Sequence, residues 1–194
     1  MLSVVVLISG AGSNLLALLK AADNPLNPVR VLAVGSDKAA EGLAHADLYG
    51  VPSFVLEPGR FSDLEAWSNK LQETIEHFDP DLIVLAGFMR ILPPSFIDRF
   101  SPNIINTHPS LLPRFPGAHA VRDALASGAR ETGVTIHVVD AGVDTGPIIA
   151  QKSVTVLPAD DEASLHERIK TEERKLLVET VLSIANKQTE LANR

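Results

Sequence analysis

Four short stretches of the 194-residue chain hold residue types that can move a proton, stabilise charge or seat a ligand. In NIINTHPSLLPRFPGAHA, Asn106 and His108 stand two apart at the end of an apolar run. On a strand both side chains leave the same face. An amide and an imidazole so placed can polarise a carbonyl and carry a proton near neutral pH; a histidine satisfying a strand end is the plain alternative. The prolines after His108 stiffen the loop at low entropic cost. In VVDAGVDTGPII, Asp140 and Asp144 lie among the turn residues Gly142, Gly146 and Pro147. Turn aspartates often do no more than cap their own backbone. An Asp144 that reached His108 would instead fix its tautomer and stabilise the imidazolium.

The third stretch, SGAGSNL, follows a β-branched run. A glycine loop there lets the backbone approach a phosphate, and a helix opening at Ser13 or Asn14 adds free N–H groups and a positive dipole end. The third glycine of the dinucleotide fingerprint is Leu15 here, and no lysine follows the loop, which excludes a nucleoside triphosphate P-loop. A lone phosphate on a sugar or mononucleotide fits, with a plain tight turn as the alternative. In the fourth, LIVLAGFMRIL, Met89, Ile91 and Leu92 surround Arg90 just past a strand end. Apolar walls with one cation suit a flat heteroaromatic ligand; core continuing into a helix is the other reading.

Strand-like and helix-like segments alternate around these stretches. LSVVVLIS, VRVLAVGS, DLIVLAGFM and NIINTHPS read as buried strands, with VPSFVL a shorter one. LLALLKAA and EGLAHADLYG read as helices, the latter ending at Gly50. FSDLEAWSNKLQETIEHF places Phe61, Leu64, Trp67, Leu71, Ile75 and Phe78 on one helical stripe, stopped by Pro80. TGVTIHVVD and PIIAQKSVTV are separated by too few residues for a parallel crossover, so they pair antiparallel. Residues 161–186 read as one helix with Leu165, Ile169, Leu176, Leu177, Val181 and Ile184 inward, and the polar tail beyond as frayed. The expected fold class is α/β: a Rossmann-like, mostly parallel sheet with helices on both faces and an antiparallel strand pair near the C-terminus. Residues 1–194 form one domain, with a phosphate-binding half, 1–100, and a catalytic half, 101–194.

Composition narrows the chemistry. The chain is 45% hydrophobic and 21% charged, with 17 basic and 24 acidic residues and a net charge of −7. That argues against general binding of nucleic acid or an anionic membrane. No cysteine is present, which excludes disulfides, thiolate metal sites and a cysteine nucleophile. His108, His119 and His137 with Asp144 could in principle ligate zinc, but their spacing is not that of short zinc motifs, so no metal is expected. His137 reads as bonding a neighbour, and His45, His77 and His166 as lying on solvated helical segments. No G-x-S-x-G elbow surrounds Ser13 or Ser110. No apolar run approaches the length of a membrane helix, and MLSVVVLISG lacks the basic start of a secretory signal, so a cytoplasmic protein is expected.

LISGAGSNL, LAGFMRILP, NTHPSLLPRFPGAHA and DTGPII, in this order and spacing, resemble the folate-dependent formyltransferase superfamily from residue 3 to about residue 180. The opening LISGAGSNL and the PGAHA ending resemble its glycinamide ribonucleotide branch. The resemblance implies formyl transfer from 10-formyltetrahydrofolate to the amine of glycinamide ribonucleotide in purine synthesis, by a monomer or homodimer. It implies Asn106, His108 and Asp144 as the catalytic triad. Ala11, Gly12, Ser13 and Asn14 would hold the phosphate, with Lys170 and Glu173 on the ribotide. Met89, Arg90, Ile91, Leu92, Asn106, Asp140 and Val143 would hold the folate. Leu64 stands where many relatives carry an arginine facing the folate tail, with Arg60 nearby, and Lys170 where many carry glutamine. A formyltetrahydrofolate hydrolase and a non-catalytic sugar-phosphate-binding module are the competing functions.

Overall fold

A computed structural model describes residues 1–191 of the chain; the last residues of the polar tail, 192–194, lie outside it. β1 (Leu2–Ile8) sits inside a seven-stranded sheet of order β3-β2-β1-β4-β5-β6-β7. β2 (Val29–Ser36) and β3 (Ser53–Val55) extend parallel to it on one side, β4 (Leu82–Leu85) and β5 (Ile104–His108) on the other. β6 (Glu131–Val138) runs antiparallel to both β5 and β7 (Ile148–Thr155). The antiparallel part is therefore one pairing wider than the expected hairpin.

The unbroken apolar reading of β1 has a direct cause. Val4, Val6 and Ile8 pack under one helical layer, Val5 and Leu7 under the other, so none of these five positions faces water. The first layer holds α1 (Ser13–Ala22), α2 (Leu43–Leu48), α5 (Ala120–Ala126) and the long α6 (Glu162–Ala185). The second holds α3 (Leu64–Glu76) and α4 (Pro94–Phe100). Trp67 of α3 is fully buried, stacks on Phe88, and donates from Nε1 to the Leu56 carbonyl at 2.8 Å. Leu64 departs from the expected stripe: as the first residue of α3 it is 52% exposed. The segment after β4 runs as an irregular loop over residues 86–93 and becomes helical only at Pro94. At α6, Asp161 accepts from the Ser164 N–H at 2.8 Å while its own N–H meets the Ser164 hydroxyl at 3.0 Å, a reciprocal cap that fixes where the helix starts.

Strand order reverses between β1 and β4. The loops leaving their carboxyl ends diverge there and open a crevice, the place where sheets of this kind bind ligands. Residues 10–12 and 87–92 are those loops. β5, beside β4, ends on the His108 segment and brings it to the same edge.

Candidate active site

Alternation along the end of β5 splits Asn106, Thr107 and His108 between two faces. His108 is 4% exposed, and both ring nitrogens meet oxygen acceptors: Nδ1 lies 3.2 Å from Asp144 Oδ2, and Nε2 donates to the Phe115 carbonyl at 2.8 Å. Asp144 spans two imidazoles, its Oδ1 lying 3.5 Å from His137 Nε2, while the Gly117 N–H donates to Oδ2 at 2.8 Å. His137 donates from Nδ1 to the Val138 carbonyl at 2.9 Å, which leaves Nε2 facing Asn106 Nδ2 at 3.2 Å. Asn106, His108, His137 and Asp144 are thus one connected network drawn from β5, β6 and the β6–β7 loop.

Backbone geometry holds that network. Phe115 and Asp144 have φ of +54° and +55°, a region aspartate tolerates and a bulky residue resists. In the β6–β7 loop, a Cβ on Gly146 would sit 1.8 Å from the Val138 carbonyl oxygen. Asp140 Oδ1 accepts from the Gly142 N–H at 3.1 Å and the Thr145 hydroxyl at 2.7 Å, so this acid shapes the loop that aims Asp144. Beneath the proline loop, Thr135 donates to the Ser110 carbonyl at 2.7 Å, and Gln151 Nε2 donates to the Leu112 carbonyl at 2.9 Å. The Leu112–Pro113 bond in that loop is cis, as is Ser101–Pro102.

A crevice of about 130 Å³ flanks the network on one side. Leu85, Phe88, Leu92, Ile97 and Val139 wall it, and Arg90, Ile91, Asn106, Asp140, Val143 and Asp144 complete its rim. Met89 lines the opposite cleft instead. Arg90 donates from Nε to Asp37 at 2.6 Å. Leu64 does not line the crevice, and exposed Arg60 is paired with Glu57 at 2.6 Å.

The opposite cleft, about 340 Å³, is formed by residues 10–14, Thr107, and the α6 residues His166, Lys170, Glu173 and Arg174. Gly12 caps α1 at φ +71°; the Gly42 N–H donates to the Gly10 carbonyl at 3.0 Å, and His45 Nε2 donates to the Ala11 carbonyl at 3.1 Å. The first N–H groups of α1 have no partner within the helix, and the residues that carry them, Ser13 and Asn14, line this cleft. Asn14 donates from Nδ2 to Thr107 at 3.5 Å, and Thr107 donates to the buried Glu173 carboxylate. Asn14 Oδ1 is buried with no hydrogen-bond partner, an acceptor that a ligand hydroxyl would satisfy. Lys170 Nζ lies 2.9 Å from Glu167. A cavity of about 620 Å³ between α1 and α6 shares Ser13 and Arg174 with this cleft; neither contains a network residue, but only the cleft is lined by Thr107 and Pro109, the chain neighbours of His108.

The structure thus brings Asn106, His108 and Asp144 together, and gathers Ala11–Asn14 with Lys170 and Glu173. His45 and His166 correct the solvated reading given to them: one props the glycine loop, the other lines the cleft. Burial and the neighbouring Lys170 charge push the His166 ring below its ordinary value, toward the neutral form. His137, Thr107 and the Phe115 carbonyl carry no sequence signal of their own, since each acts through a partner distant in the chain. Among the described residues, no group of three or more histidine or carboxylate side chains is arranged to hold a metal ion.

Burial would raise the Asp144 carboxyl, but hydrogen bonds from His137 and Gly117 and the charges of both imidazoles hold it below the ordinary aspartate value of 3.8. Asp81 is also held below 3.8, by the hydroxyl and N–H of Ser3. A carboxyl lowered by folding contributes stability above its unfolded value and loses it as pH falls through the folded one. Melting temperatures taken between pH 7 and pH 2 are therefore expected to fall below about pH 4. In Asp81→Asn that acid drop becomes shallower; an unchanged slope would contradict the assignment.

The chain is similar to known proteins over most of its length. Residues 2–181 match the formyl transferase family model. The chain is 50% identical over 181 residues to a phosphoribosylglycinamide formyltransferase of Mycobacterium tuberculosis, covering 93% of this chain and 84% of that one. It is 41% identical over 176 residues to the enzyme of the same name from Escherichia coli, covering 90% and 83%. Among solved structures, glycinamide ribonucleotide transformylase 1 from Symbiobacterium toebii superposes with a TM-score of 0.96 at 39% identity, covering 100% of this chain and 92% of that one.

Proposed function

The chain belongs to the formyl transferase family, and from that premise we propose that it moves the formyl group of 10-formyltetrahydrofolate onto the amine of glycinamide ribonucleotide, with Asn106 and His108 acting on the reacting atoms and Asp144 holding His108. One observation carries the assignment of residues: Asn106 and Asp144 of the Asn106–His108–Asp144 network line the crevice, while Thr107 and Pro109, the chain neighbours of His108, line the cleft built around a glycine loop and a helix N-terminus. The crevice suits a flat ring system and the cleft suits a phosphate. Relatives named as trifunctional purine biosynthetic proteins support the same reading, and with it a cytoplasmic location; no helix of the described residues is long and apolar enough to cross a membrane.

The ribotide brings its own nucleophile, so the protein needs neither serine nor cysteine for the attack. The amine nitrogen bonds to the formyl carbon, and the carbonyl oxygen takes up negative charge. The Asn106 amide and a His108 N–H donate to that oxygen; His108 Nε2 first releases the Phe115 carbonyl. The bond from carbon to the folate nitrogen then breaks, and a proton passes from the attacking amine to that nitrogen, through His108 or water. Asp144 stabilises the imidazolium form and orients the ring. Every group named comes from one chain, so the chemistry asks for no second copy.

A single assay tests this: loss of formyl-folate with and without glycinamide ribonucleotide. Consumption only with the ribotide is expected. Formate release without it would mark a hydrolase, and binding of ribotide without turnover a non-catalytic module; either overturns the proposal. The phosphate loop has its own test. A Cβ on Gly12 would lie 2.9 Å from the Gly42 Cα, on backbone at φ +71°. Gly12→Ala is expected to raise the ribotide KM by about tenfold or more, since several N–H donors lose alignment together, while the formyl-folate KM changes little. Steady-state kinetics with each substrate varied in turn separate the two.

A further inference from the structure

Beyond the triad, one nearly buried charge bears on the crevice and has no part in the chemistry described so far. Asp37, the first residue after β2, is 3% exposed. A lone carboxylate at that depth is costly, and a neutral residue of the same shape would be cheaper. Asp37 is compensated at Oδ2 by Arg90, whose Nε lies 2.6 Å away, while its buried Oδ1 has no hydrogen-bond partner among the described residues. Burial would raise its carboxyl, but hydrogen bonds from Ser9 and Arg90 and the charge of Arg90 hold it below the ordinary value. The pair is lopsided: the Asp37 side chain is 2% exposed, the Arg90 side chain 46%. Arg90 is thus held at one end and open at the other.

The open end belongs to the crevice that Arg90 helps to line. The neighbouring backbone is fixed at the adjacent strand end. The Ser9 N–H donates to the Gly87 carbonyl at 3.1 Å, and the Ser9 hydroxyl accepts from the Met89 N–H at 2.8 Å. The segment leaving β4 is therefore pinned twice, its backbone by Ser9 after β1 and its next side chain by Asp37 after β2. With Nε committed, the guanidinium keeps its terminal N–H donors for something else. An acid just past β2 could also have served a ribose hydroxyl; here it is engaged by Arg90 on the crevice side, not in the ribotide cleft.

We propose that Asp37 is a positioning residue for the formyl donor: it orients Arg90 so that the guanidinium presents donors to an acceptor group of the folate bound in the crevice. This rests on the crevice being the folate site. The ribotide cleft and the His108 network do not touch the pair, so its removal acts on one substrate only.

The test is a kinetic cycle on the full chain with 10-formyltetrahydrofolate and glycinamide ribonucleotide. Asp37→Asn keeps the shape and removes the charge. It is expected to raise the KM for the formyl donor on the order of tenfold, the scale of one charge-assisted hydrogen bond lost, with kcat and the ribotide KM within about twofold. Arg90→Gln is expected to do the same, and Asp37→Asn/Arg90→Gln no more than Arg90→Gln alone, because Asp37 acts through Arg90. Where Asp37→Asn yields too little folded protein, Asp37→Glu replaces it, with the same rise expected from a carboxylate displaced by one methylene. An unchanged donor KM, an equal fall in kcat, or a full Asp37 effect surviving in the Arg90→Gln background overturns the proposal. Failure of the functional reading looks different, since the wild-type chain would then consume no formyl-folate with ribotide present.

Discussion

His108→Ala is expected to lower kcat about a hundred- to a thousandfold, the usual cost of removing one preorganised donor to a developing oxyanion. The donor is preorganised here in a specific sense. Its ring is 4% exposed, and its two nitrogens are held by groups from opposite sides, Asp144 from the β6–β7 loop and the Phe115 carbonyl from the proline loop. Little reorganisation remains except exchanging the Phe115 carbonyl for the reacting oxygen. The loss belongs in kcat rather than in either KM, because the interaction strengthens only as charge develops. His108 lies at a strand end rather than in either hydrophobic layer, so thermal melts should show the variant folded. His108→Gln, which keeps a polar side chain of similar reach, controls for the small void. Turnover within tenfold of wild type in either variant would remove His108 from the chemistry.

The fold and the candidate site differ in how far each is legible in sequence. The strands of the parallel half declare themselves because burial on both faces forces uninterrupted apolar runs, as Val4 to Ile8 show. Asn106 and His108 are legible as a pair because strand period fixes which side chains share a face. The same rule sends Thr107 the other way, yet its meeting with Glu173 depends on where α6 crosses the sheet, 66 residues later. His137 shows the limit more sharply. Its role arises because β6 joins the sheet antiparallel beside β5, placing His137 opposite Asn106 in register. That pairing partner is a property of strand order, which local pattern does not encode. Asp37 is hidden for a similar reason: a single acid after a strand looks like any turn residue until Arg90, 53 positions on, is brought against it.

Asp144 is expected to show the larger and more informative loss. Its carboxylate meets three groups at once: His108, His137 and the Gly117 N–H. Asp144→Ala removes all of these, and kcat is expected to fall at least as far as in His108→Ala, about a thousandfold. Asp144→Asn separates charge from shape, since its amide oxygen still accepts from Gly117 while the neutral side chain no longer stabilises an imidazolium. A loss of about a hundredfold in Asp144→Asn would assign most of the effect to charge. Near-wild-type turnover there, with Asp144→Ala inactive, would leave Asp144 as a loop anchor and refute its catalytic assignment. Because Asp144 acts on the reacting oxygen only through the His108 ring it holds, their effects should not add. His108→Ala/Asp144→Ala is expected to be little worse than the poorer single variant, as for groups working as a unit. Multiplying losses in the double variant would instead mean that Asp144 works through His137 and Asn106 independently of His108, and that the shared carboxylate is the junction of two separate contributions.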